Sequence, residues 1–276
     1  MLKMSSEPSP SSPDSTAGNI NRIQELNRLK RDYANRNTLQ VDQLAWSPLI
    51  PESHWLDFMI QRFLAASLMS QGWKPQSIEK CRILEVGCGS GRVLQWFYGM
   101  GAKSLDGIEM LAKGVEESKH RAPFAVVQQA SMDELPYPDA VFDCVVQVLT
   151  FSCCLDAGMR LKAASEMRRV LKPGGCILWC DIRPAKGEAA YAQGIGTPAL
   201  RKLFPGCRIA VQHLGANPQW LGRLTSLFNQ GPIRLLLGKR RPITKFPLVA
   251  AGIMERCPWL TSYIAAVITC PSTPIG

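Results

Sequence analysis

The sequence lacks features that mark several common protein classes. The 276 residues contain no run of about 18 apolar residues, so we expect no transmembrane helix. The ten cysteines form no C-x-x-C pair, so no metal site is predicted. Most of these cysteines stand in apolar, strand-like runs, where a free cysteine behaves as a small hydrophobic residue. That usage favours a reducing cytoplasm.

Acidic residues are scarce between Arg201 and Arg256. Glu255 is the single acid in this stretch, against ten lysines and arginines, while the whole chain carries a net charge of +10. A segment of this charge favours an anionic partner, which could be a nucleic acid, a phospholipid surface or a phosphorylated substrate. The alternative is a solvated basic face that binds no partner.

The N-terminal region has no apolar segment of the kind found in secretory signals. Residues 1–19 are rich in Ser and Pro and are predicted to form a disordered tail. Residues 20–80 are predicted to form a helical cap of two helices. The first helix has an apolar face, and Ser53 is expected to cap the second, whose apolar residues lie four apart. The two faces comprise Ile23, Leu26, Leu29 and Tyr33, and Leu56, Ile60, Leu64 and Leu68.

From Cys81 onward, short apolar runs alternate with amphipathic stretches. This alternation is typical of an α/β fold in which helices cover both faces of a parallel sheet. The predicted core spans 81–214 and 259–271, and the basic segment 215–258 is predicted to be a lid or substrate-side insertion before the last strand. The strand candidates are 82–87, 104–109, 124–128, 142–148, 176–182, 207–214 and 261–269, and the helix candidates are 91–99, 110–119 and 156–171.

The stretch "ILEVGCGSG" places Gly87, Gly89 and Gly91 directly after the first core strand. Glycines let the chain turn sharply and bring its backbone against a ligand. A dinucleotide fingerprint would need its third glycine at position 92, which is Arg92. The spacing suits a ligand without a pyrophosphate, with an ammonium or ribose group near Glu85. A tight turn that binds nothing is the alternative.

This turn and three later motifs resemble those of the class I S-adenosylmethionine-dependent methyltransferases. The motifs follow in order from Cys81 to Asp181: "ILEVGCGSGR", "LDGIE", "ASMDELPYPDAVFDCVVQ" and "EMRRVLKPGGCILW". The resemblance implies a Rossmann-like, seven-stranded methyltransferase sheet with S-adenosylmethionine as cofactor. In the third motif Ser131 stands where the family often has Asp.

The resemblance also implies a cofactor site. Glu109 would hold the ribose hydroxyls, Ser131 and the backbone of Met132 would meet the adenine, and the carbonyl of Gln147 would meet the methionyl ammonium. The full expected set is Glu85, Gly87, Cys88, Gly89, Gly91, Glu109, Met110, Ser131, Met132 and Gln147.

Candidate general bases are few. A hydroxyl acceptor needs its proton removed, whereas a softer acceptor needs no base. The chain has three histidines. We expect His120 to be solvent-exposed, and retain Asp181, His213 and His54 as catalytic candidates. The alternatives are a salt bridge from Asp181 to Arg183, a core position for His213 and a solvated helix start for His54.

The sequence as a whole predicts a methyltransferase that O-methylates a small-molecule, sugar or lipid-linked acceptor. "LTFSCCLD", "LKPGGCILWCDIRP" and "LRKLFPGCRI" resemble a bacterial branch associated with glycan or secondary-metabolite synthesis. The acceptor could be anionic, and the segment "GPIRLLLGKRRPITKF" allows peripheral contact with the inner face of the membrane from a cytoplasmic location. The alternatives are an RNA methyltransferase or RNA binder, and a non-catalytic cofactor-binding module. The run Gln147–Thr150 lacks the Asn/Asp-Pro-Pro-aromatic pattern of nucleobase amino-methylases.

Overall fold

A computed structural model describes residues 13–36, 51–184, 191–216 and 261–271. Seven strands form one sheet in the order β3-β2-β1-β4-β5-β7-β6, in which β7 runs antiparallel to both of its neighbours and β1 to β5 are parallel. The strands are β1 (Arg82–Val86), β2 (Ser104–Glu109), β3 (Val126–Gln129), β4 (Phe142–Val148), β5 (Leu171–Ile182), β6 (Arg208–Ala216) and β7 (Thr261–Thr269).

Helices cover both faces of this sheet, and each face has its own hydrophobic core. Residues of α1, α6 and α7 pack in one core, and residues of α2, α4 and α5 pack in the other. The helices are α1 (Pro13–Arg36), α2 (Pro51–Ser70), α3 (Pro75–Ile78), α4 (Arg92–Gly99), α5 (Ala112–Arg121), α6 (Ala157–Val170) and α7 (Thr197–Leu203). Strands buried on both faces explain why the core strands read as almost continuous apolar runs.

The predicted Rossmann-like, seven-stranded fold is confirmed. All seven strand candidates are present, and β2, β4 and β7 have their predicted bounds. The apolar face predicted for α2 is also correct, since Ile60, Leu64 and Leu68 are buried.

Three details of the N-terminal helices differ from the sequence prediction. Helix α1 begins at Pro13, so residues 13–19 are helical rather than part of a tail. Helix α2 begins at Pro51, which places Ser53 inside its first turn instead of at the cap. In both helices a proline takes the first position, where its fixed φ angle suits a helix start. Ile23 is 55% exposed, because the buried face of α1 includes the charged Glu25.

The cysteines are not all free. Cys207, just before β6, forms a disulfide with Cys270, just after β7, so the bond joins the facing ends of these two strands. Seven other cysteines are free: Cys81, Cys88, Cys144, Cys153, Cys154, Cys176 and Cys180. The predicted use of cysteine as a small hydrophobic residue therefore holds for the five of these that are buried, whereas Cys81 and Cys153 are only partly buried.

The basic insertion falls almost wholly outside the described residues, since 217–260 are not among them. Its role as a lid stays a prediction. Within the described part of the chain, no helix is long and apolar enough to cross a membrane.

Candidate active site

A cleft of about 1070 Å³ opens at the carboxyl ends of β1, β2 and β4. Ligands of open parallel sheets bind at this edge, near the point where the strand order reverses. Here that point lies between β1 and β4, because β2 and β3 lie to one side of β1 and β4 and β5 lie to the other.

The glycine-rich turn after β1 forms the floor of the cleft, and two of its glycines have separate roles. Gly87 has φ 72°, and a Cβ there would come within 2.4 Å of the Thr150 hydroxyl oxygen. Gly89 has φ 51°, and a Cβ there would meet no atom within 4 Å. Gly87 thus allows the loop after β4 to pack closely, whereas Gly89 leaves open space on the cleft side.

Glu109 ends β2 beside this turn. Its carboxylate accepts hydrogen bonds from the backbone N–H of Gly89, at 3.0 Å, and of Leu111, at 2.9 Å. Burial raises the pKa of Glu109 despite these hydrogen bonds. Each carboxylate oxygen can accept a further hydrogen bond, so the pair can still receive two hydroxyl groups from a ligand.

Glu85 lies in the cleft at the end of β1 and is only 3% exposed. Its Oε2 atom is buried and has no hydrogen-bond partner within the described structure. Burial raises the pKa of Glu85 well above its ordinary value, against the opposing effect of the Arg92 charge. An unpaired buried carboxylate oxygen is a binding position for a cationic or hydrogen-donating group.

Other predicted cofactor residues divide into two groups. Cys88, Met110, Ser131 and Met132 line the cleft. Gly91 does not, because a Cβ at this position would point at the Ser118 side chain, 2.5 Å from its hydroxyl. Gly91 therefore serves the close packing of α4 on α5.

Gln147, whose backbone carbonyl was expected to meet the methionyl ammonium, is not among the residues that line the cleft. Its side chain is fully buried behind the cleft, where it donates to the Cys180 carbonyl and to Asp181. The residues that reach the cleft from the end of β4 are Val148, Leu149 and Thr150. Leu149 has φ 58°, a conformation that turns the chain across the cleft and that sequence inspection does not reveal for a leucine.

None of the three predicted catalytic residues lines the cleft. Asp181 is fully buried and accepts hydrogen bonds from Gln147 and from the backbone of Ser152 and Ile182. Burial raises its pKa in spite of these hydrogen bonds, and Arg183 donates to Thr261 rather than to Asp181.

The two histidines among the predicted catalytic residues, His213 and His54, also lie outside the cleft lining. His213 lies on the edge strand β6, where burial and the Arg183 charge lower its pKa. His54 is exposed on α2, and the structure places the exposed His120 at the cleft instead.

The described lining divides by charge. All of its charged side chains, together with His120, come from β1, β2, α4 and α5, on one side of the glycine turn. On the side of β4 and β5, the described lining residues are uncharged, with Leu29 and Tyr33 from α1 as part of the wall. This second group also includes Leu149, Cys153, Met159, Ile182 and Tyr191. The sequence reasoning missed it, although the apolar face of α1 gave a signal for Leu29 and Tyr33.

Comparison with known proteins gives the cleft a family context. Residues 84–179 match the family model described as a methyltransferase domain. The chain is 28% identical over 125 residues to a probable phthiotriol/phenolphthiotriol dimycocerosates methyltransferase 2 of Mycobacterium ulcerans, covering 44% of this chain and 47% of that protein. It is 31% identical over 129 residues to a fatty-acid O-methyltransferase of Mycolicibacterium smegmatis, covering 46% of each. The chain thus spans about half the length of the curated relatives it matches.

Solved structures show the same fold. A candidate sarcosine dimethylglycine methyltransferase from Galdieria sulphuraria superimposes with a TM-score of 0.53 at 18% identity, covering 77% of this chain and 85% of that one. An S-adenosylmethionine-dependent methyltransferase from Archaeoglobus fulgidus gives 0.50 at 14% identity, covering 75% and 93%.

The residues present fit S-adenosylmethionine. The open space at Gly89, the accepting carboxylate of Glu109 and the unpaired oxygen of Glu85 match a backbone contact, ribose hydroxyls and an ammonium group.

Proposed function

We propose that the chain transfers the methyl group of S-adenosylmethionine to an oxygen atom of a small acceptor with an apolar, lipid-like body, and the premise is the match of residues 84–179 to the methyltransferase domain family. The unpaired, buried Oε2 atom of Glu85 beside the glycine turn is the observation that carries the cofactor half of this proposal. The charge division of the cleft lining carries the acceptor half.

The described residues contribute binding and orientation. Bound S-adenosylmethionine supplies an electrophilic methyl group. Glu109 holds ribose hydroxyls, Glu85 holds the ammonium group, and the uncharged wall excludes water beside the acceptor. Positioning of this kind contributes on the order of 7–11 kcal/mol to a two-substrate reaction. The described lining on the acceptor side has no carboxylate or imidazole, so we assign these lining residues a role in orientation.

The apolar wall favours one class among the acceptors that the sequence allowed. An anionic body placed against Leu29, Met159 and Ile182 would lose its hydration without gaining a charged partner. A fatty or lipid-like body would gain about 25 cal/mol per Å² of buried apolar surface. The fatty-acid O-methyltransferase relative agrees with this choice, and the RNA alternative depends on basic residues that lie mostly outside the described part of the chain.

The test is a methyl-transfer assay with labelled S-adenosylmethionine and four acceptors: a long-chain fatty acid, a long-chain alcohol, a sugar phosphate and an RNA. We expect transfer to the first two. Tyr191→Lys, which places a charge at the acceptor wall, should raise KM for the apolar acceptor about tenfold, because a charge must be desolvated there. Leu161→Lys is the matched control, since Leu161 is similarly exposed and does not line the cleft. Transfer only to RNA or sugar phosphate, or equal effects of the two lysines, would contradict the proposal.

A further inference from the structure

Ser131 takes part in a chain of polar contacts that ends on the N-terminal helix. Its hydroxyl donates to the Oδ1 atom of Asp133. Asp133 is fully buried, and its Oδ2 accepts from the Nε atom of Arg22 at 2.5 Å, while a second Arg22 nitrogen lies 3.3 Å from Oδ1. Arg22 belongs to α1 and is separated from Asp133 by 111 positions in sequence, so the contact is a tertiary one.

The direction of these hydrogen bonds is fixed by charge. Burial alone would raise the pKa of Asp133, but the hydrogen bonds from Arg22 and Ser131 lower it below its ordinary value. An ionised carboxylate can only accept hydrogen bonds. The single proton of the Ser131 hydroxyl is therefore committed to Asp133, and the Ser131 oxygen facing the cleft can only accept.

We infer that Arg22 and Asp133 are positioning residues that hold the Ser131 hydroxyl as an obligate acceptor for the exocyclic amine of adenine. The inference rests on the proposed function, because it assigns the adenine to the side of the cleft that Ser131 lines. Arg22, Asp133 and Ser131 together supply a hydrogen-bond acceptor that a single carboxylate at position 131 would supply alone. It also makes the cofactor site depend on α1, the helix whose Leu29 and Tyr33 line the acceptor wall.

The test compares binding of S-adenosylhomocysteine with binding of its analogue that has an unsubstituted purine in place of adenine, by isothermal titration calorimetry. The analogue carries a hydrogen atom where adenine carries its amine and keeps an unprotonated N1, so it lacks only the donor that an obligate acceptor at Ser131 would meet. We expect the wild-type chain to bind the adenosyl compound about tenfold more tightly than the analogue. The quantity of interest is this ratio of the two dissociation constants, which a general loosening of the site would leave unchanged.

Three variants should lower the ratio to about twofold, a loss typical of one hydrogen bond. Ser131→Ala removes the acceptor, Asp133→Asn allows the hydroxyl to rotate and donate, and Arg22→Ala removes the charge that keeps Asp133 ionised. Arg31→Ala, at an exposed position of the same helix, is the matched control and should keep the wild-type ratio. Should Asp133→Asn fail to fold, the other two variants decide, since Arg22 and Ser131 are only partly buried.

An unchanged ratio in Ser131→Ala or Arg22→Ala, with S-adenosylhomocysteine still bound, overturns the inference and leaves the proposed function standing. A wild-type chain that binds neither compound overturns the proposed function itself.

Discussion

The buried carboxylate of Glu85 lowers the free energy of unfolding of the ligand-free protein. The carboxylate is buried and one of its oxygens has no partner within the described structure, which raises its pKa well above the ordinary value of 4.5. A carboxyl group with a raised folded-state pKa keeps its proton in the folded state after the unfolded chain has lost it. The free energy of unfolding therefore falls as the pH rises from 4.5 through the raised pKa. Such a cost is expected where a residue serves a ligand rather than the fold.

Glu85→Gln should separate stability from binding. We expect the variant to be more stable than the wild type at pH 8 by about 1 kcal/mol, with a smaller difference at pH 5, because the neutral amide has no charge to bury. Its affinity for S-adenosylhomocysteine should fall about tenfold through loss of the charged contact with the ammonium group. Denaturant unfolding at the two pH values and calorimetry measure these effects. Glu116→Gln, at an exposed position of the same cleft, should change neither, and a destabilised Glu85→Gln at pH 8 would refute this account.

Helix α1 is held by buried polar contacts at the level of the element. Glu25 is 7% exposed and accepts from Arg28 and from the backbone N–H of Leu155. Arg28 also donates to Asp32 and to the carbonyl of Cys153, at the far wall of the cleft. Burial opposes ionisation of Glu25, but its hydrogen bonds from Arg28 and Leu155 lower its pKa. These ionic contacts, together with the apolar packing of Leu29, hold the helix against one side of the cleft.

Arg28→Ala should destabilise the fold by about 3 kcal/mol, because it leaves the buried Glu25 charge without its main partner. Arg31→Ala, three residues along the same helix and exposed, should change the free energy of unfolding by less than about 0.5 kcal/mol. Chemical denaturation of the two variants measures the difference. Equal stability of the pair would show that α1 is not held by these contacts.

The helices also show where sequence reasoning stops. The apolar runs predicted the strand positions, because a strand that is buried on both faces is apolar along its length and does not alternate between apolar and polar residues. The burial of Glu25 and the exposure of Ile23 could not be predicted, since they depend on which loops α1 meets after the chain has folded. Periodicity identifies a face of a helix and leaves its ionic partners undetermined.

At the scale of the whole molecule, the strand order places charged and uncharged lining residues on different sides of the cleft. Charged side chains line the cleft beside β1 and β2, and uncharged ones line it beside β4 and β5. Of the charged residues in the first half, the sequence pointed to Glu85 and Glu109, because these two residues lie at the ends of β1 and β2 beside the glycine turn. The second half is assembled from α1, the turn after β4 and the loop after β5, and the left-handed backbone at Leu149 directs that turn. For Asp181, the position at the end of a strand predicted the correct edge of the sheet but did not predict that the side chain is buried.

The most direct test of the central claim is calorimetric titration of S-adenosylhomocysteine into Gly89→Val and Gly72→Val. Both glycines have positive φ angles, 51° and 80°, and neither would place a Cβ within 4 Å of another atom, so the two substitutions carry a similar backbone cost. Gly89 faces the cleft, and Gly72 lies in the turn after α2. We expect Gly89→Val to lower the affinity at least about a hundredfold, because its side chain would occupy the space of the ligand, while Gly72→Val binds as the wild type does. Undiminished binding by Gly89→Val would contradict the assignment of the cofactor to this turn.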